Sequence, residues 1–380
     1  MADLVVSGYM VRHPVPGNLY AFLHYVIGLR RLGHRVLYVE SGWSDECYHV
    51  DTHRYDDDPT SGIRTAAAAL ARHGERSVPV AYLEQTSGRL HGLSEAELRD
   101  ALERCDLLLN VGGSCWTDQF DRARCRALVD MDPLFTQVGV FAPEGFEHYH
   151  VLFTNGTNIG APGCLVPTAG RDWLPTLPPV VARMWRLGPG SPDAPFTTVA
   201  NWSAYGSVEY QGTTYGQKDV EFLKLADLPA RSGQKMVLAA AGCDDEGAER
   251  LGAGGWVVDN AAEVNRSPAR YRAFVAGSAA ELSPAKHGYV TARTGWFSDR
   301  SVCYLGAGRP VVVQDTGARI PAGEGILTFA DAEEALAAVD AVRRDWPRHS
   351  RAARRLARET FGHDVVLPRL LEQAGVRPIG

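Results

Sequence analysis

Apolar and polar positions along the chain follow a strand–helix rhythm. An apolar run starts at Leu4, apolar residues recur at helical spacing from Tyr20 to Leu32, and a second apolar run occupies 35–39. Gly33 ends the helical stretch, as is common at a helix C-terminus. A strand, a helix and a strand within about 36 residues form a βαβ unit, which is the seed of a parallel sheet.

The same rhythm continues along most of the chain. The pattern predicts helices over 62–73 and 94–104 and strands over 106–111, 127–131 and 151–154. The stretch 162–195 is rich in Pro, Gly and Trp, and long regular elements cannot run through it. After it the rhythm resumes, with predicted strands at 196–200, 235–239, 256–259, 287–290 and 310–314 and helices at 218–225, 268–276 and 299–305. Three further helices are predicted at 332–343, 349–359 and 365–374.

These elements predict an α/β protein with two domains. The chain has 380 residues, of which 45% are hydrophobic, and this is enough for two separate cores. We place the first domain at 1–175, a linker at 176–195 and the second domain at 196–355, followed by a terminal helical segment at 356–380. Two doubly wound sheets joined by a Pro-rich linker predict a ligand cleft at the carboxyl ends of their strands.

Composition and charge narrow the class of protein. The net charge of -6 and the pI near 6.1 argue against general binding to nucleic acid or to acidic membranes. No apolar run approaches the roughly 20 residues that span a bilayer, and the start of the chain does not resemble a signal peptide. The cysteines are odd in number, scattered and free of Cys-x-x-Cys pairs. We therefore expect a cytoplasmic protein with reduced thiols and no transmembrane segment.

The most informative stretch for chemistry is 295–317. Ser298 or Asp299 is a suitable N-cap for the helix that follows, which leaves the amides of its first turn, with Arg300 and Ser301, to bind an anion. A buried strand comes next. The turn after that strand offers Asp315, Thr316 and Gly317 to hydroxyl groups of a ligand.

This stretch resembles the donor-binding signature of the GT-B glycosyltransferases, in which a phosphate-gripping helix precedes a Gly-x-Pro-Val-Val strand and a small acidic turn. The segment Leu32-Gly-His-Arg-Val36 is similar to the start of these enzymes. The resemblance covers nearly the whole chain. It implies two Rossmann-like domains facing a cleft, with the terminal segment 356–380 crossing back to the first domain. It also implies a bacterial nucleotide-sugar-dependent enzyme that needs no metal ion and no other cofactor.

Two positions depart from the family pattern. Cys303 stands where many retaining members have an acidic residue that grips the donor ribose, and Glu281 or Glu209 is the candidate replacement. Asn18 stands where many inverting members have their catalytic histidine, next to Gly17 in the acceptor-side loop. An asparagine cannot take a proton from an acceptor. The candidate bases are one histidine and two aspartates, His13, Asp130 and Asp132.

Two lysines are candidates for contact with the donor diphosphate. Only four of the 39 basic residues are lysines, and Lys218 follows the glycine-rich loop after the first strand of the second half. Lys286 is the second candidate. The pair Asp130 and Asp132 also has the Asp-x-Asp spacing of a divalent-metal site, but it lies in the acceptor half, and we expect no metal.

The sequence therefore predicts a hexosyltransferase-like glycosyltransferase. It would move sugar from a nucleotide-diphosphate sugar to a small-molecule or glycan acceptor, in natural-product or cell-surface glycan biosynthesis. The alternatives are an epimerase of nucleotide sugars with the same fold and a non-catalytic nucleotide-sugar-binding protein. The sequence leaves open the sugar, the nucleotide, the acceptor, the stereochemical outcome and the oligomeric state.

Overall fold

The computed structural model describes residues 1–139 and 145–376. The chain forms two compact units. The first comprises Met1–Gly156, Thr168–Val181 and the segment from Gly362 onwards, and the second comprises Thr157–Pro167 and Ala182–Phe361. These limits differ from the predicted domain boundaries in three places: residues 157–167 group with the second unit, the predicted linker is divided between the two units after Val181, and the returning segment starts at Gly362.

The first unit is built on an eight-stranded sheet with helices connecting its parallel strands. Its elements are β1 (Asp3–Ser7), α1 (Pro16–Arg31), β2 (Arg35–Gly42), β3 (Cys47–His49), β4 (Arg54–Asp56), α2 (Thr60–Arg72), β5 (Val80–Glu84), β6 (Leu90–His91), α3 (Glu95–Arg104), β7 (Leu107–Val111), β8 (Arg126–Asp130), β9 (Val151–Thr154) and β10 (Trp173–Pro175). The strand order is β10-β9-β8-β7-β1-β2-β5-β6, and only β6 is antiparallel to its neighbour. β3 and β4 form a separate antiparallel hairpin.

The second unit is built on a six-stranded sheet whose strands are all parallel. Its elements are β11 (Phe196–Asn201), β12 (Val208–Tyr210), β13 (Thr213–Tyr215), α4 (Lys218–Leu223), α5 (Leu228–Ser232), β14 (Met236–Ala241), α6 (Asp245–Ala253), β15 (Trp256–Asn260), α7 (Ala261–Asn265), α8 (Pro268–Ala276), β16 (Ala280–Ser283), α9 (His287–Thr291), α10 (Asp299–Gly306), β17 (Val311–Gln314), β18 (Ile326–Phe329), α11 (Ala332–Arg344) and α12 (Trp346–Glu359). The strand order is β15-β14-β11-β16-β17-β18. β12 and β13 form a short hairpin outside this sheet.

Both sheets have the chain order of a doubly wound fold. In each one the chain leaves the first strand toward one edge and then returns to pair on its other side, so the order reverses between β1 and β7 and between β11 and β16. Such reversal points open a crevice at the carboxyl ends of the strands, where ligands bind in open α/β sheets. Both sheets are covered by helices, and their cores are separate clusters of buried apolar side chains.

The chain ends in α13 (His363–Gln373), which packs on α1 in the first unit. Leu367 of α13 lies against Gly28 of α1, and the backbone N–H of His363 donates to the carbonyl of Val180 at 3.0 Å. The crossing-back helix implied by the family resemblance is therefore part of the first unit.

One predicted strand is wrong, and one predicted loop is shorter than expected. Residues 287–290 form α9, not a strand, and the strand next to β17 is β16. α1 begins at Pro16, so Gly17 and Asn18 lie in its first helical turn. Proline fits the first turn of a helix because its missing N–H is not needed there.

Candidate functional site

A cationic cluster lies at the reversal point of the second sheet. Lys218 begins α4, and Lys286 directly precedes α9. Two backbone hydrogen bonds tie these starts together, from the N–H of His287 to the carbonyl of Gln217 at 3.1 Å and from Gly288 to Gly216 at 3.0 Å. The sequence predicted both lysines as diphosphate ligands but did not indicate that they lie next to each other.

Lys218 is the unusual member of this cluster. Its side chain is buried, with 8% of the residue surface exposed, and its ammonium lies 5.8 Å from the centre of the Trp296 ring. Within the described parts of the chain the ammonium makes no hydrogen bond and no ion pair. Burial lowers the pKa of Lys218 well below its ordinary value, and the positive charges of Arg300 and Lys286 lower it further. A desolvated ammonium without a counter-charge is costly, so an anion bound here would stabilise the charged form of Lys218.

Lys286 is held by aromatic rings. Its ammonium donates to the hydroxyl of Tyr205 at 2.6 Å and lies 4.5 Å from the centre of that ring and 5.2 Å from the ring of Tyr289. Tyr289 in turn packs against Trp296, with 4.6 Å between the ring centres and an angle of 34° between the rings. Three aromatic rings, those of Tyr205, Tyr289 and Trp296, therefore lie against the two ammonium groups of the cluster.

Arg300 is directed into the protein rather than toward a ligand. Its Nε donates to the carboxylate of Glu281, its Nη1 to the carbonyl of Val199 at 2.8 Å and its Nη2 to the hydroxyl of Ser283 at 2.7 Å. Glu281 is fully buried, so its predicted role as a ribose ligand is replaced by that of the ionic partner of Arg300. The alternative, Glu209, lies on the exposed β12–β13 hairpin. Arg300 therefore contributes a fixed positive charge beside Lys218. Its guanidinium nitrogens are bonded to protein groups and do not point toward a phosphate.

The N-terminus of α10 lies beside the same cluster. Ser298 is its N-cap, and the serine hydroxyl accepts from the backbone N–H of Arg300 at 3.2 Å, as the sequence predicted. Burial raises the pKa of Asp299, and the Lys218 charge opposes that rise. Ser301 and Cys303 are buried in the body of the helix. The first turn of α10 adds the positive end of a helix dipole to the two lysines.

The turn after β17 is joined to the loop before α10 by hydrogen bonds. The N–H of Gly295 donates to the carbonyl of Thr316 at 2.7 Å, and the hydroxyl of Thr316 donates to the carbonyl of Trp296 at 2.7 Å. Gly317 has a positive φ of 80°, and its N–H donates to the Asp315 carboxylate at 2.8 Å. Asp315 is the member of this turn with the exposed side chain, at 40%.

In the first unit the structure brings His13 and Asn18 together. The Asn18 Nδ2 lies 3.1 Å from the His13 Nδ1. The imidazole stacks between Tyr9 and Tyr48, with 5.6 Å and 4.7 Å between ring centres, and Tyr55 stands 6.3 Å away. Burial, together with the charge of Arg12, lowers the pKa of His13 to about 4. His13 is therefore neutral at physiological pH.

The two candidate aspartates differ sharply. Asp130 at the end of β8 is fully buried, and its carboxylate accepts from the hydroxyls of Thr136 and Thr154, both at 2.7 Å, and from the Gln137 amide at 2.9 Å. The backbone N–H of Asp132 also donates to it, at 2.9 Å. With four donors and no exposure, Asp130 organises the loop after β8 and cannot reach a substrate proton. Asp132 is partly exposed.

Sequence reasoning missed the residue that fixes the loop after β1. Glu40 at the end of β2 is fully buried and accepts from the backbone N–H groups of Val11 at 2.8 Å and Arg12 at 2.7 Å and from the hydroxyl of Tyr38 at 2.6 Å. It also pairs with the guanidinium of Arg12. The only signal in the sequence was a carboxylate inside an otherwise apolar strand, where an unpaired charge is costly.

Metal-binding groups and membrane-spanning helices are both absent from the described residues. In the ranges 1–139 and 145–376, no three His, Cys, Asp or Glu side chains stand together as a group that would hold a metal ion. No helix in the same ranges has the length and the apolar surface to cross a membrane.

Comparison with solved structures identifies the architecture. An α-glucosyltransferase in complex with UDP and a 13-mer DNA containing an HMU base is 7% identical, with 98% of this chain and 99% of that chain covered, at a TM-score of 0.58. AviGT4, a glycosyltransferase involved in avilamycin A biosynthesis, is 14% identical over 99% of this chain and 97% of that one, at a TM-score of 0.54. This chain has the GT-B fold.

The remaining comparisons show that the similarity concerns the fold and not the sequence. A glycosyltransferase from Rickettsia africae shares the GT-B fold at a TM-score of 0.53, with 7% identity over 98% of both chains. No family model matches the sequence, and no curated protein matches it. At these identities the likeness concerns the fold, and the chemistry has to be argued from the residues of this chain.

Proposed function

We propose that this GT-B protein is a glycosyltransferase that uses a nucleotide-diphosphate sugar as donor. The observation that carries the proposal is Lys218 at the reversal point of the second sheet, whose side chain is largely buried and whose ammonium makes no hydrogen bond or ion pair with the described residues. Lys286, Arg300 and the N-terminus of α10 surround it with further positive charge. This arrangement suits an anion with several charges, and the diphosphate of a nucleotide sugar is such an anion.

Each part of the cluster has a role toward the diphosphate in this proposal. Lys218 supplies a point charge that is strengthened by exclusion of water, and the α10 amides donate to phosphate oxygens. Lys286 exchanges its bond to the Tyr205 hydroxyl for a phosphate oxygen. Asp315 and Thr316, on the turn joined to this region, are the candidates for the donor hydroxyls.

Glycosyl transfer needs positive charges at the donor site because negative charge develops on the leaving diphosphate. The bond between the anomeric carbon and the diphosphate oxygen breaks, and its electron pair stays on the diphosphate. An acceptor oxygen forms the new bond and loses its proton to a base. Positively charged side chains that the fold already holds in place stabilise the diphosphate as its negative charge develops. His13 and Asp132 are the remaining candidate bases, since Asp130 is enclosed by its own hydrogen bonds.

The acceptor side of the proposal rests on the loop after β1. His13, Asn18 and the ring of Tyr55, which is 53% exposed, lie at the carboxyl end of the first sheet. We propose a small-molecule or glycan acceptor there, as part of natural-product or cell-surface glycan biosynthesis. Neither the donor cluster nor the acceptor loop requires a metal ion for the roles proposed here.

Calorimetric titration with nucleoside diphosphates tests the donor site. We expect one of UDP, dTDP, GDP or ADP to bind the wild-type protein, and Lys218→Met to weaken that binding about 10- to 100-fold, because a hydrogen bond to a charged group contributes about 1.5–3 kcal/mol. Lys235→Met is the matched control. Lys235 is exposed at the amino end of β14, so its loss should leave affinity unchanged.

Two results would overturn the donor assignment: no binding of any of the four nucleotides, or equal affinity in Lys218→Met and Lys235→Met. Incubation with the matching nucleotide sugars then separates the functional classes. Donor consumption that depends on an added acceptor supports glycosyl transfer. Donor change without acceptor points to an epimerase, and binding without turnover points to a binding protein.

A further inference from the structure

The pairing of Asn18 with His13 fixes where the imidazole carries its proton. The side-chain nitrogen of Asn18 faces Nδ1 of His13 at 3.1 Å. An amide nitrogen donates hydrogen bonds and accepts none, so Nδ1 is the acceptor and has no proton of its own. In a neutral imidazole the single proton is then on Nε2. A ring in this tautomer presents an N–H at Nε2 and has no lone pair there for a proton.

The surroundings of the ring keep it neutral. Tyr9 and Tyr48 stack against the imidazole and Tyr55 stands beside them, so the ring is partly shielded from water. The charged neighbour is Arg12, whose guanidinium lies 4.7 Å from the centre of the Tyr9 ring. Its positive charge opposes a second proton on His13. No carboxylate among the described residues contacts the ring; the buried Glu40 is paired with Arg12 instead.

The position of the ring is imposed by the loop that carries it. The Glu40 carboxylate accepts hydrogen bonds from the N–H groups of Val11 and Arg12. The Tyr38 hydroxyl accepts a hydrogen bond from the N–H of Met10 at 2.9 Å. Three consecutive amides before His13 are thereby anchored to β2. Asn18, on the first turn of α1, then reaches His13 from a second rigid element. A ring held by two elements in this way is preorganised for one orientation.

We propose that Asn18 is a positioning residue that holds His13 as the Nε2–H tautomer, so that His13 donates a hydrogen bond to an oxygen of the bound acceptor and does not remove its proton. This inference rests on the proposed function for its acceptor. The ligand it predicts carries an oxygen with an available lone pair next to the hydroxyl that reacts. The proton of that hydroxyl then goes to another group, either Asp132 or an oxygen of the departing diphosphate.

Nitrogen NMR of the ¹⁵N-labelled full-length protein tests the tautomer directly. Long-range ¹H–¹⁵N correlation distinguishes a protonated ring nitrogen from a bare one, and the His13 signals are assigned by their loss in His13→Gln. We expect a bare Nδ1 and a protonated Nε2 at pH 7. A spectrum in which Nδ1 carries the proton overturns the proposal, whatever the activity of the protein.

The variant Asn18→Asp reverses the arrangement by design. A carboxylate accepts and never donates, so it should move the ring proton to Nδ1 and raise the pKa of His13 by about 1–3 units, as a nearby opposite charge does. Asn18→Ala is the comparison, because it removes the donor without adding charge and should leave a mixture of tautomers. An unchanged tautomer in Asn18→Asp shows that Asn18 does not set it, and the proposal fails.

Turnover measurements separate a donor from a base. Gln carries an N–H donor but cannot act as a base at neutral pH, so His13→Gln should retain clearly more turnover than His13→Ala, and the loss in His13→Ala should appear as a raised KM for the acceptor. If both variants instead turn over at least about 100-fold more slowly, which is the size expected for a missing general base, the proposal is contradicted. The NMR result stands apart from these assays: absence of turnover in every variant counts against the glycosyltransferase, not against the tautomer.

Discussion

At the scale of single residues, the fold treats two buried cations of the second unit in opposite ways. Arg300 has a buried carboxylate, a carbonyl and a hydroxyl around it, whereas Lys218 has no such partner among the described residues. The scarcity of lysine indicated Lys218 from the sequence. The pairing of Glu281 with Arg300 was hidden, because the two are separated by 19 residues and meet only when β16 lies beside α10.

The burial of Glu281 and Arg300 predicts that each depends on the other for the stability of the unit. Glu281→Gln should lower the free energy of unfolding by about 3–5 kcal/mol, because it leaves a buried guanidinium without its counter-charge. The double variant Glu281→Gln with Arg300→Met should recover most of the loss. Urea unfolding of the two variants and the wild type measures this. Equal stability of the single and double variants would mean that the pair is not coupled.

At the scale of elements, the helices and strands that the pattern predicts are present in the structure with one exception, the segment 287–290. The helix at 268–276 and the strand at 151–154 have the predicted bounds. Residues 287–290 were predicted as a strand, partly because Tyr289 and Val290 favour one. They form α9 because their first amides bond back to the loop before α4. A short segment has too little periodicity to oppose such a tertiary contact.

The cap of α10 allows its structural role to be separated from its role in binding. Ser298→Ala should reduce stability by about 1 kcal/mol, as the loss of an N-cap does, and should also weaken nucleoside diphosphate binding several-fold. Ser94→Ala is the matched control, since Ser94 caps α3 in the first unit. Thermal unfolding and calorimetric titration are the measurements. Equal affinity in the two variants would remove the α10 terminus from the anion site.

At the scale of the whole molecule, the end of the chain completes the first unit. α13 packs on α1, which lies near the opposite end of the sequence, and Gly28 is the point of close approach. A methyl group added at Gly28 would lie 2.6 Å from Cδ1 of Leu367 and 2.9 Å from Cβ of His363. Both distances are shorter than real contacts, so one helix would have to move.

Gly28→Ala should therefore lower the free energy of unfolding by about 1–3 kcal/mol, the cost of overpacking a filled contact. Gly17→Ala on the same helix is the control, because nothing lies within 4 Å of the added methyl group. It should leave stability unchanged or raise it by up to about 1 kcal/mol through helix propensity. Chemical unfolding compares the two. A Gly28→Ala protein as stable as Gly17→Ala would show that α13 does not press on α1 as the structure has it.

The sequence by itself determined the doubly wound halves, a helix capped at Ser298 or Asp299 and the turn that follows the next strand. These depend on hydrophobic period and on local hydrogen bonds, which neighbouring residues establish among themselves. The tertiary structure alone decided which charges are paired. It enclosed Asp130 in hydrogen bonds, paired Arg300 with Glu281, placed no ion-pair partner at Lys218 among the described residues and brought Nδ1 of His13 within hydrogen-bond distance of Asn18. Ion pairs and hydrogen bonds depend on a short distance between the groups and on the exclusion of water. For residues far apart in the chain, both conditions are met only when the sheets and helices pack.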